Sequence, residues 1–449
     1  MVTLARRRKV LPRESFVVTI ESLNHEGRGI AHLNGKTVFI HGGIPGETVE
    51  CLYTRLFNRY DEARVVSVIT PSSDRVAPQC PHVSFCGGCS LQHVSMASQI
   101  RNKQGVLLEQ LQHFGNVTPE SILPAITGLP YGYRRKARLG VRFVHKKEKV
   151  LVGFRERSGR YVADLTVCPI LVAPVDRLLT PLSYLISSLS VSEAIPQIEV
   201  AIGDKAAALV FRHISALTPE DCRKISDFAK TYGVHVYLQS DNLNSVYRLF
   251  PAATEDKNDE LLSYHLKEYN LTFHFHPCDF IQVNAAVNEK MIAQVLSLLE
   301  LNSEDRVLDL FSGLGNLSLP IAQKAKSVCA IEGVEAMVKR SRYNAMKNNI
   351  TNFTSSNANL TQSLQPHAWF QENYTKIVLD PPRDGAAEII DAIAAKRPSH
   401  IVYVSCNPAT LARDAGELVR HGYRLAKVGV MDMFTQTTHI ESIAQFVRN

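Results

Sequence analysis

The sequence predicts a multidomain α/β protein in three parts: a small N-terminal β-barrel, a central α/β domain, and a C-terminal domain built on a mostly parallel sheet. Three observations predict it. At 449 residues the chain has room for about three domains. Short β-rich runs broken by Gly and Pro turns fill residues 16–70, and from residue 271 onward apolar runs of strand length alternate with helical stretches. Hydrophobic residues make up 45% and charged ones 21%, a globular mixture that excludes collagen, coiled coil and disorder. No apolar run reaches the roughly 18 residues of a membrane span. The basic opening MVTLARRRKV is not followed by an apolar stretch, so it does not read as a secretory signal, and the expected location is the cytoplasm.

In the first part, residues 1–75, the runs FVVTIESL, HEGRGIAHLNG, KTVFIHGGIPGETVECLY and DEARVVSVIT are strand-length segments separated by turns, the pattern of a small barrel. Pro, Ser and Asp cluster between Pro71 and Pro78 and mark the boundary. The second part, 76–270, opens with a Cys-rich loop and a helical stretch, SMASQIRNKQGVLLEQLQHFG, and passes through a basic segment. A mixed pattern follows, with strands in IPQIEVAIG, AAALVFRH and GVHVYLQS; the acidic TEDKNDE at 254–260 reads as a surface loop. In the third part, 271–449, the helix AVNEKMIAQVLSLLE leads into the strand RVLDLFSG, and helices then alternate with SVCAIEG, KIVLDPP, HIVYVSC and HIESIAQFVRN. That alternation implies right-handed βαβ crossovers. Ligands of such sheets bind beyond the carboxyl ends of the strands.

The formal charge is +7, a modest excess, but its distribution is uneven. Between Tyr131 and Tyr161 stand Arg134, Arg135, Lys136, Arg138, Arg142, Lys146, Lys147, Lys149, Arg155, Arg157 and Arg160, against only Glu148 and Glu156. Tyr131, Tyr133, Phe143, Phe154 and Tyr161 are interleaved with them. Tracking phosphates and stacking bases needs this combination. A solvated hairpin is the competing reading.

At the carboxyl end of RVLDL, the turn FSGLGNLSL carries Gly313 and Gly315, which let backbone approach a ligand closely. Ser318 replaces the third glycine of the dinucleotide fingerprint, which weakens a nicotinamide reading. Glu332 ends the next strand, where an acid accepts ribose hydroxyls. Methyltransferases of the Rossmann-like class share that geometry, with S-adenosylmethionine as the ligand. KIVLDPPRDG brings the Asp380 carboxylate to another strand end on rigid backbone, and HIVYVSCNP does the same for the Cys406 thiol.

Nine cysteines, an odd count, argue against a disulfide framework and for metal binding or catalysis. Cys80, Cys86 and Cys89 form C-x5-C-x2-C, with Gly87 and Gly88 allowing the loop to fold back around a metal; three thiols want a fourth. Cys51, Cys222, Cys278 and Cys329 fall in strand-like or helical patterns and read as core.

Five segments, FIQVN (280–284), DLFSGLGN (309–316), DPPRDG (380–385), SCNPATLARD (405–414) and TTHIES (437–442), together resemble the RNA uracil carbon-5 methyltransferases. GRGIAHLNGKTVFIHGGIPGE resembles a TRAM domain, an OB-like RNA-binding barrel, and the combined resemblance covers essentially the whole chain. It implies an S-adenosylmethionine-dependent enzyme that methylates carbon 5 of a uridine in 23S ribosomal RNA, as a monomer, with neither DNA nor membrane as partner. By the same resemblance Cys406 is the nucleophile and Glu441 the base, while Gln282, Phe311, Asn316, Glu332, Asn359 and Asp380 contact S-adenosylmethionine. Cys168 joins Cys80, Cys86 and Cys89 as the fourth thiol. Four thiolates suit either zinc or iron–sulfur by spacing, and the resemblance implies a [4Fe-4S] cluster.

One departure from the family pattern is Thr435, where Pro usually follows the Phe upstream of the base motif; it puts the rigidity of that loop in question. Phe280, two residues before Gln282, is the expected stacking ring for an extruded base, with core packing as the competing reading. A transfer RNA uridine methyltransferase is the nearest alternative function, disfavoured by the barrel and the cysteines, which typical bacterial members of that group lack. An RNA-binding assembly factor without catalysis is the alternative from another class, and intact Cys406 and Glu441 speak against it.

Overall fold

A computed structural model describes residues 11–157, 159–252 and 261–448. The basic N-terminal stretch and the TEDKNDE loop lie outside the described residues. The chain divides into two compact units, one of residues 1–83, 89–106 and 436–438, the other of residues 84–88, 107–435 and 439–449.

The first unit holds a six-stranded sheet in the order Phe16–Thr19, Thr48–Leu56, Tyr60–Thr70, Lys36–His41, Gly29–Leu33, Ser22–Leu23. Only the pairing of Lys36–His41 with Tyr60–Thr70 is parallel. The run FVVTIESL, which reads as a single strand, is split because Ile20 leaves the ladder: its N–H donates to Glu47 O and its carbonyl accepts from Gly46 N–H. Ile20 is buried with Ala31, Val38, Ile40, Val49, Cys51 and Ala63. A Cβ at Gly29 or Gly43 would stand within 2.9 Å of its side chain, so glycine at both positions is what lets this isoleucine reach the core. The short segment Gln436–Thr438 belongs to this unit: Gln436 O accepts from Ser90 N–H and Leu91 N–H, and its Oε1 accepts from Gln99 Nε2 at 3.0 Å. The predicted helical stretch forms Met96–Gln110 and widens to a π turn over Leu111–Gly115.

In the second unit, a six-stranded sheet runs Tyr247–Phe250, Val234–Gln239, Ala207–Arg212, Gln197–Ile202, Lys136–Val144, Lys149–Gly153. The basic segment supplies its last two strands, a hairpin. A separate hairpin, Leu262–Leu266 with Leu271–Phe275, leads to the eight-stranded sheet. Its order is Phe353–Asn357, Ser327–Glu332, Arg306–Leu310, Lys376–Leu379, His400–Ser405, Glu441–Arg448, Tyr423–Met431, Ser121–Ile122. The first five strands are parallel, and Glu441–Arg448 is antiparallel to both of its neighbours.

Three strands of this sheet carry no clear signal in the sequence. Phe353–Asn357 reads FTSSN, a polar edge, and Tyr423–Met431 is bulged between Leu425 and Lys427, which breaks its alternation. The outer strand Ser121–Ile122 comes from far upstream and pairs in parallel with Lys427 and Val428. Just before it, Gly115 lies against the helix Pro408–Arg420 so closely that a Cβ there would meet Ala412 O at 2.4 Å.

Candidate active site

The carboxyl ends of the parallel strands carry Phe311, Glu332, Asp380 and Cys406, each immediately after or at the end of its strand. A cleft with about 430 Å³ of empty space is lined there by Tyr264, Phe280, Gln282, Asp309, Phe311, Asn316 and Asp380, among others. Gln282 reaches across to Asp380, with Nε2 donating to Oδ2 at 3.4 Å. Phe311 adopts φ +64°, a left-handed conformation that a bulky residue keeps only when its surroundings enforce it. Glu332 does not line the cleft itself. Its carboxylate accepts from Gly313 N–H at 3.0 Å and Val334 N–H at 2.9 Å, and thus shapes the glycine turn that does.

Asn316 lines the cleft with its amide already engaged. Its Oδ1 accepts from Tyr264 Oη at 2.8 Å and Asn288 Nδ2 at 3.0 Å, and its Nδ2 donates to Asn288 Oδ1 at 2.8 Å. Asn359 is exposed and outside the cleft lining; its Oδ1 accepts from Thr361 N–H at 3.0 Å and Thr361 Oγ1 at 2.9 Å in a side-chain turn.

Asp309 was not singled out by the sequence. It is fully buried, its Oδ2 accepts from the Ser318 hydroxyl, and its Oδ1 has no hydrogen-bond partner in the protein. Burial, with Asp380 and Glu332 nearby, pushes this carboxyl up to about 7 against the Ser318 hydrogen bond. Burial likewise raises Asp380 to about 7. An unpartnered buried acceptor in a cleft of raised carboxyls suits a cationic ligand, and S-adenosylmethionine carries both an ammonium and a sulfonium. The cleft residues therefore fit that cofactor. The signal in the sequence was the position of Asp309 one strand residue inside the glycine turn.

Cys406 follows Ser405, the last residue of its strand, and Glu441 opens the antiparallel neighbour. Ser405 pairs with Ser442, so Cys406 and Glu441, one step further on each strand, stand opposite each other at the open end of the ladder. Both are half-buried. Burial first, then the charges of Glu441 and Asp380, push the thiol up to about 11, opposed by its own backbone and by Arg383. Asn407 caps the helix Pro408–Arg420, its Oδ1 accepting from Ala409 N–H at 3.1 Å, so the thiol also sits at the positive end of a 13-residue helix.

Thr435 does not leave its loop slack. It is fully buried, its Oγ1 donates to Asp432 O at 3.3 Å, and its carbonyl accepts from Tyr133 Oη at 2.8 Å. Next to it the Arg134 guanidinium lies 5.6 Å from the Phe434 ring centroid and 5.8 Å from that of Phe154. Phe280 is 65% exposed, which excludes core packing.

The basic hairpin is less free than its composition predicts. Arg135 pairs with Asp204 at 2.7 Å, Arg138 with Glu199 at 3.0 Å, and both Lys147 and Lys149 with Asp164 at 2.8 Å. Lys136 is directed at Pro277 O, and burial lowers its pKa. Among the described residues, Arg142, Lys146, Arg155 and Arg160 have no carboxylate within ion-pair distance. The neutralising acids lie outside the 131–161 window, where a local count does not see them.

Cys80, Cys86, Cys89 and Cys168 are all buried, at 7–9% exposure. Gly88 N–H donates to Cys86 Sγ at 3.4 Å, and a Cβ at Gly87 would stand 3.0 Å from Arg155 O. Among the described residues, however, no group of three or more His, Cys, Asp or Glu side chains is arranged to hold a metal ion. Of the cysteines expected in the core, Cys51 and Cys329 are buried, whereas Cys222 and Cys278 are half-buried. Among the described residues, no helix is long and apolar enough to cross a membrane.

Comparison with known proteins bears on both parts of the chain. The family model described as tRNA (Uracil-5-)-methyltransferase matches residues 253–448, and that of the TRAM domain matches residues 9–66. A protein of Alkalilimnicola ehrlichii named 23S rRNA (uracil(1939)-C(5))-methyltransferase RlmD is 48% identical over 99% of this chain and 99% of its own length. A protein of Hahella chejuensis with the same name is also 48% identical, with the same coverage of both chains. The crystal structure of Pyrococcus abyssi tRNA (uracil-54, C5)-methyltransferase in complex with S-adenosyl-L-homocysteine shares the fold. Its TM-score is 0.72 at 21% identity, covering 96% of this chain and 100% of that one.

Proposed function

This chain belongs to the RNA uracil-C5 methyltransferase family, among relatives named RlmD, and from that membership we propose the following reading of its site. The enzyme transfers a methyl group from S-adenosylmethionine to carbon 5 of uracil 1939 in 23S ribosomal RNA, through a covalent adduct with Cys406. The observation that carries the residue assignment is the opposition of Cys406 and Glu441 across the end of one strand pair, beside the cleft at Asp380.

Carbon 5 of uracil is a poor nucleophile. Addition of the Cys406 thiolate at carbon 6 turns the ring into an enolate that is nucleophilic at carbon 5. When bound, S-adenosylmethionine supplies an electrophilic methyl group. Glu441 then takes the proton from carbon 5, and the carbon–sulfur bond breaks to return the thiolate. Gln282, Phe311, Asn316, Glu332 and Asp380 bind and orient the cofactor in this reading, Asn316 through its link to Asn288 and Glu332 through the glycine turn. Asn359, in its exposed turn, is assigned to the adenine end. Phe280 stacks on the base once it leaves the RNA helix, which costs a few kcal/mol that stacking offsets.

Incubating unmodified ribosomal RNA with labelled methyl donor and mapping the product tests this reading. Label at carbon 5 of uracil 1939 that disappears with Cys406→Ala is the expected result. Label in transfer RNA instead would favour the alternative substrate, and undiminished turnover by Cys406→Ala would remove the adduct from the mechanism.

We also propose that Cys80, Cys86, Cys89 and Cys168 ligate a [4Fe-4S] cluster. The reading is supported by the motif spacing, the burial of all four residues and the N–H donated to Cys86 Sγ, although no metal-holding group is present among the described residues. No step of the methyl transfer is routed through it. Iron and sulfide analysis of anaerobically purified protein, with Cys89→Ser as control, tests it: zinc, or no metal, overturns the assignment. A ribosomal RNA substrate supports a cytoplasmic site of action, and we read the active species as a monomer because the assigned catalytic and cofactor residues all come from one chain.

A further inference from the structure

Four side chains at the start of the helix Pro408–Arg420 grip the loop that follows Asp380. Asn407 Nδ2 donates to Arg383 O at 3.0 Å, and Thr410 Oγ1 donates to the same oxygen at 3.3 Å. Arg413 Nη2 donates to Asp384 O at 2.9 Å. Asp414 completes the grip: its Oδ2 accepts from Ala386 N–H at 2.8 Å and Tyr403 Oη at 2.7 Å, and its Oδ1 accepts from Arg413 Nε at 2.8 Å. Asp414 and Tyr403 are both fully buried. Residues 407, 410 and 413–414 recur at helical spacing, so one face of the helix does all of this.

The loop is shaped to accept the grip. Gly385 adopts φ +81°, and a Cβ there would stand 2.6 Å from Arg413 Nη2, 2.8 Å from Asp414 Oδ2 and 2.9 Å from Thr410 Cβ. Only glycine lets the chain turn this close to the carboxylate. The loop begins at Asp380, in the cofactor cleft, and the helix begins directly after Cys406.

We propose that Asp414 is a positioning residue for methyl transfer: by fixing the 380–386 loop to the helix that starts after Cys406, it sets the spacing between the Asp380 carboxylate and the Cys406 thiol. This rests on Cys406 being the nucleophile. A carboxylate accepting three hydrogen bonds inside the protein has no substitute that keeps all three, so its loss frees the loop. Reacting groups displaced by about 1 Å lose roughly 10²-fold in rate.

The test is Asp414→Asn in the full chain, with turnover counted per folded enzyme. The expected result is a kcat for 23S RNA reduced by about 10²-fold, with KM for RNA nearly unchanged. A second readout is the pH midpoint of Cys406 alkylation, resolved by peptide mass spectrometry. Glu441, Asp380 and Arg383 all bear on that thiol, and the last two travel with the loop, so the midpoint shifts. Ile390→Val, a packing loss in the helix Ala387–Ala395, lowers stability without moving the midpoint. Should Asp414→Asn fail to fold, Tyr403→Phe and Gly385→Ala carry the test, and each is expected to move the midpoint. Unchanged turnover, or unchanged midpoints in the variants that fold, overturns the positioning role. An active Cys406→Ala would instead overturn the assignment of the nucleophile.

Discussion

Cys406 and Glu441 face each other across the last step of an antiparallel ladder, one residue beyond the Ser405–Ser442 pair. Burial first, and then the carboxylate of Glu441, raise the pKa of Cys406 and leave the thiol protonated at neutral pH. A resting thiol that resists ionisation is protected from oxidation and alkylation. In the proposed reading, a cationic cofactor beside Asp380 is expected to reverse part of that penalty.

Replacing Glu441 by Gln keeps the shape and removes the proposed base. The proposed roles lead us to expect RNA that becomes attached to Cys406 and methylated but keeps its carbon 5 proton, so that a denaturant-resistant protein–RNA adduct accumulates. Gel shift under denaturing conditions reads it. Free turnover without adduct would show that another group is the base.

Asp309 gives a pH signature of its own. Its folded-state pKa of about 7 lies above the ordinary carboxylate value of 3.8, so between these values the folded protein holds a proton that the unfolded chain has released. The stability this confers is fully present below pH 4 and is lost as pH rises through 7, by on the order of a few kcal/mol. Asp309→Asn is expected to flatten that decline and to be the more stable protein at pH 8 without cofactor. Urea unfolding at pH 5 and pH 8 measures it, and equal slopes for the two proteins would refute the assignment. The same variant should bind S-adenosylmethionine more weakly, having lost a carboxyl that can carry negative charge beside a cationic ligand.

Phe280→Ala should leave folding untouched, because the ring is 65% exposed. Losing a stacked base costs about 1–3 kcal/mol, so kcat/KM for RNA is expected to fall roughly 5- to 150-fold. Wild-type kcat/KM in the variant would rule out the stacking role.

Salt dependence separates the two kinds of cation on the basic hairpin. Lys146 has no carboxylate partner among the described residues, whereas Lys147 already pairs with Asp164. Lys146→Ala is expected to reduce the slope of log affinity against log salt by about 0.7–0.9, and Lys147→Ala by much less. Equal slopes for the two variants would mean that this hairpin does not track phosphates.

Much of the catalytic end was legible because its residues come in short motifs that sit directly at strand ends. Asp380 and Cys406 needed only the βα alternation to be placed at neighbouring strand ends, whereas Glu441, on an antiparallel strand, was reached through the family resemblance alone. Asn316 was legible as a position and not as a contact, since its amide is consumed by Asn288 and Tyr264, partners 28 and 52 residues away. Asp309 was easily passed over because an acid within an apolar strand carries no mark beyond its place just before the glycine turn. The charge of the basic hairpin was overstated for the same reason: Asp164, Asp204 and Glu199 are neighbours in space only. The strand Ser121–Ile122, two residues with no periodicity, could not have been read at all.

That two-residue strand has a consequence for biosynthesis. Its partner lies about 300 residues later, with Ser121 Oγ donating to Ala426 O across a separation of 305 residues. Contacts of such long range close slowly, because the intervening chain must first be ordered. During translation at roughly 5–20 residues per second, the early segment waits at least about 15 s for its partner to be made. A nascent chain halted before Tyr423 lacks both Tyr423–Met431 and Glu441–Arg448, so Ser121–Ile122 has no strand to pair with and the sheet ends at His400–Ser405.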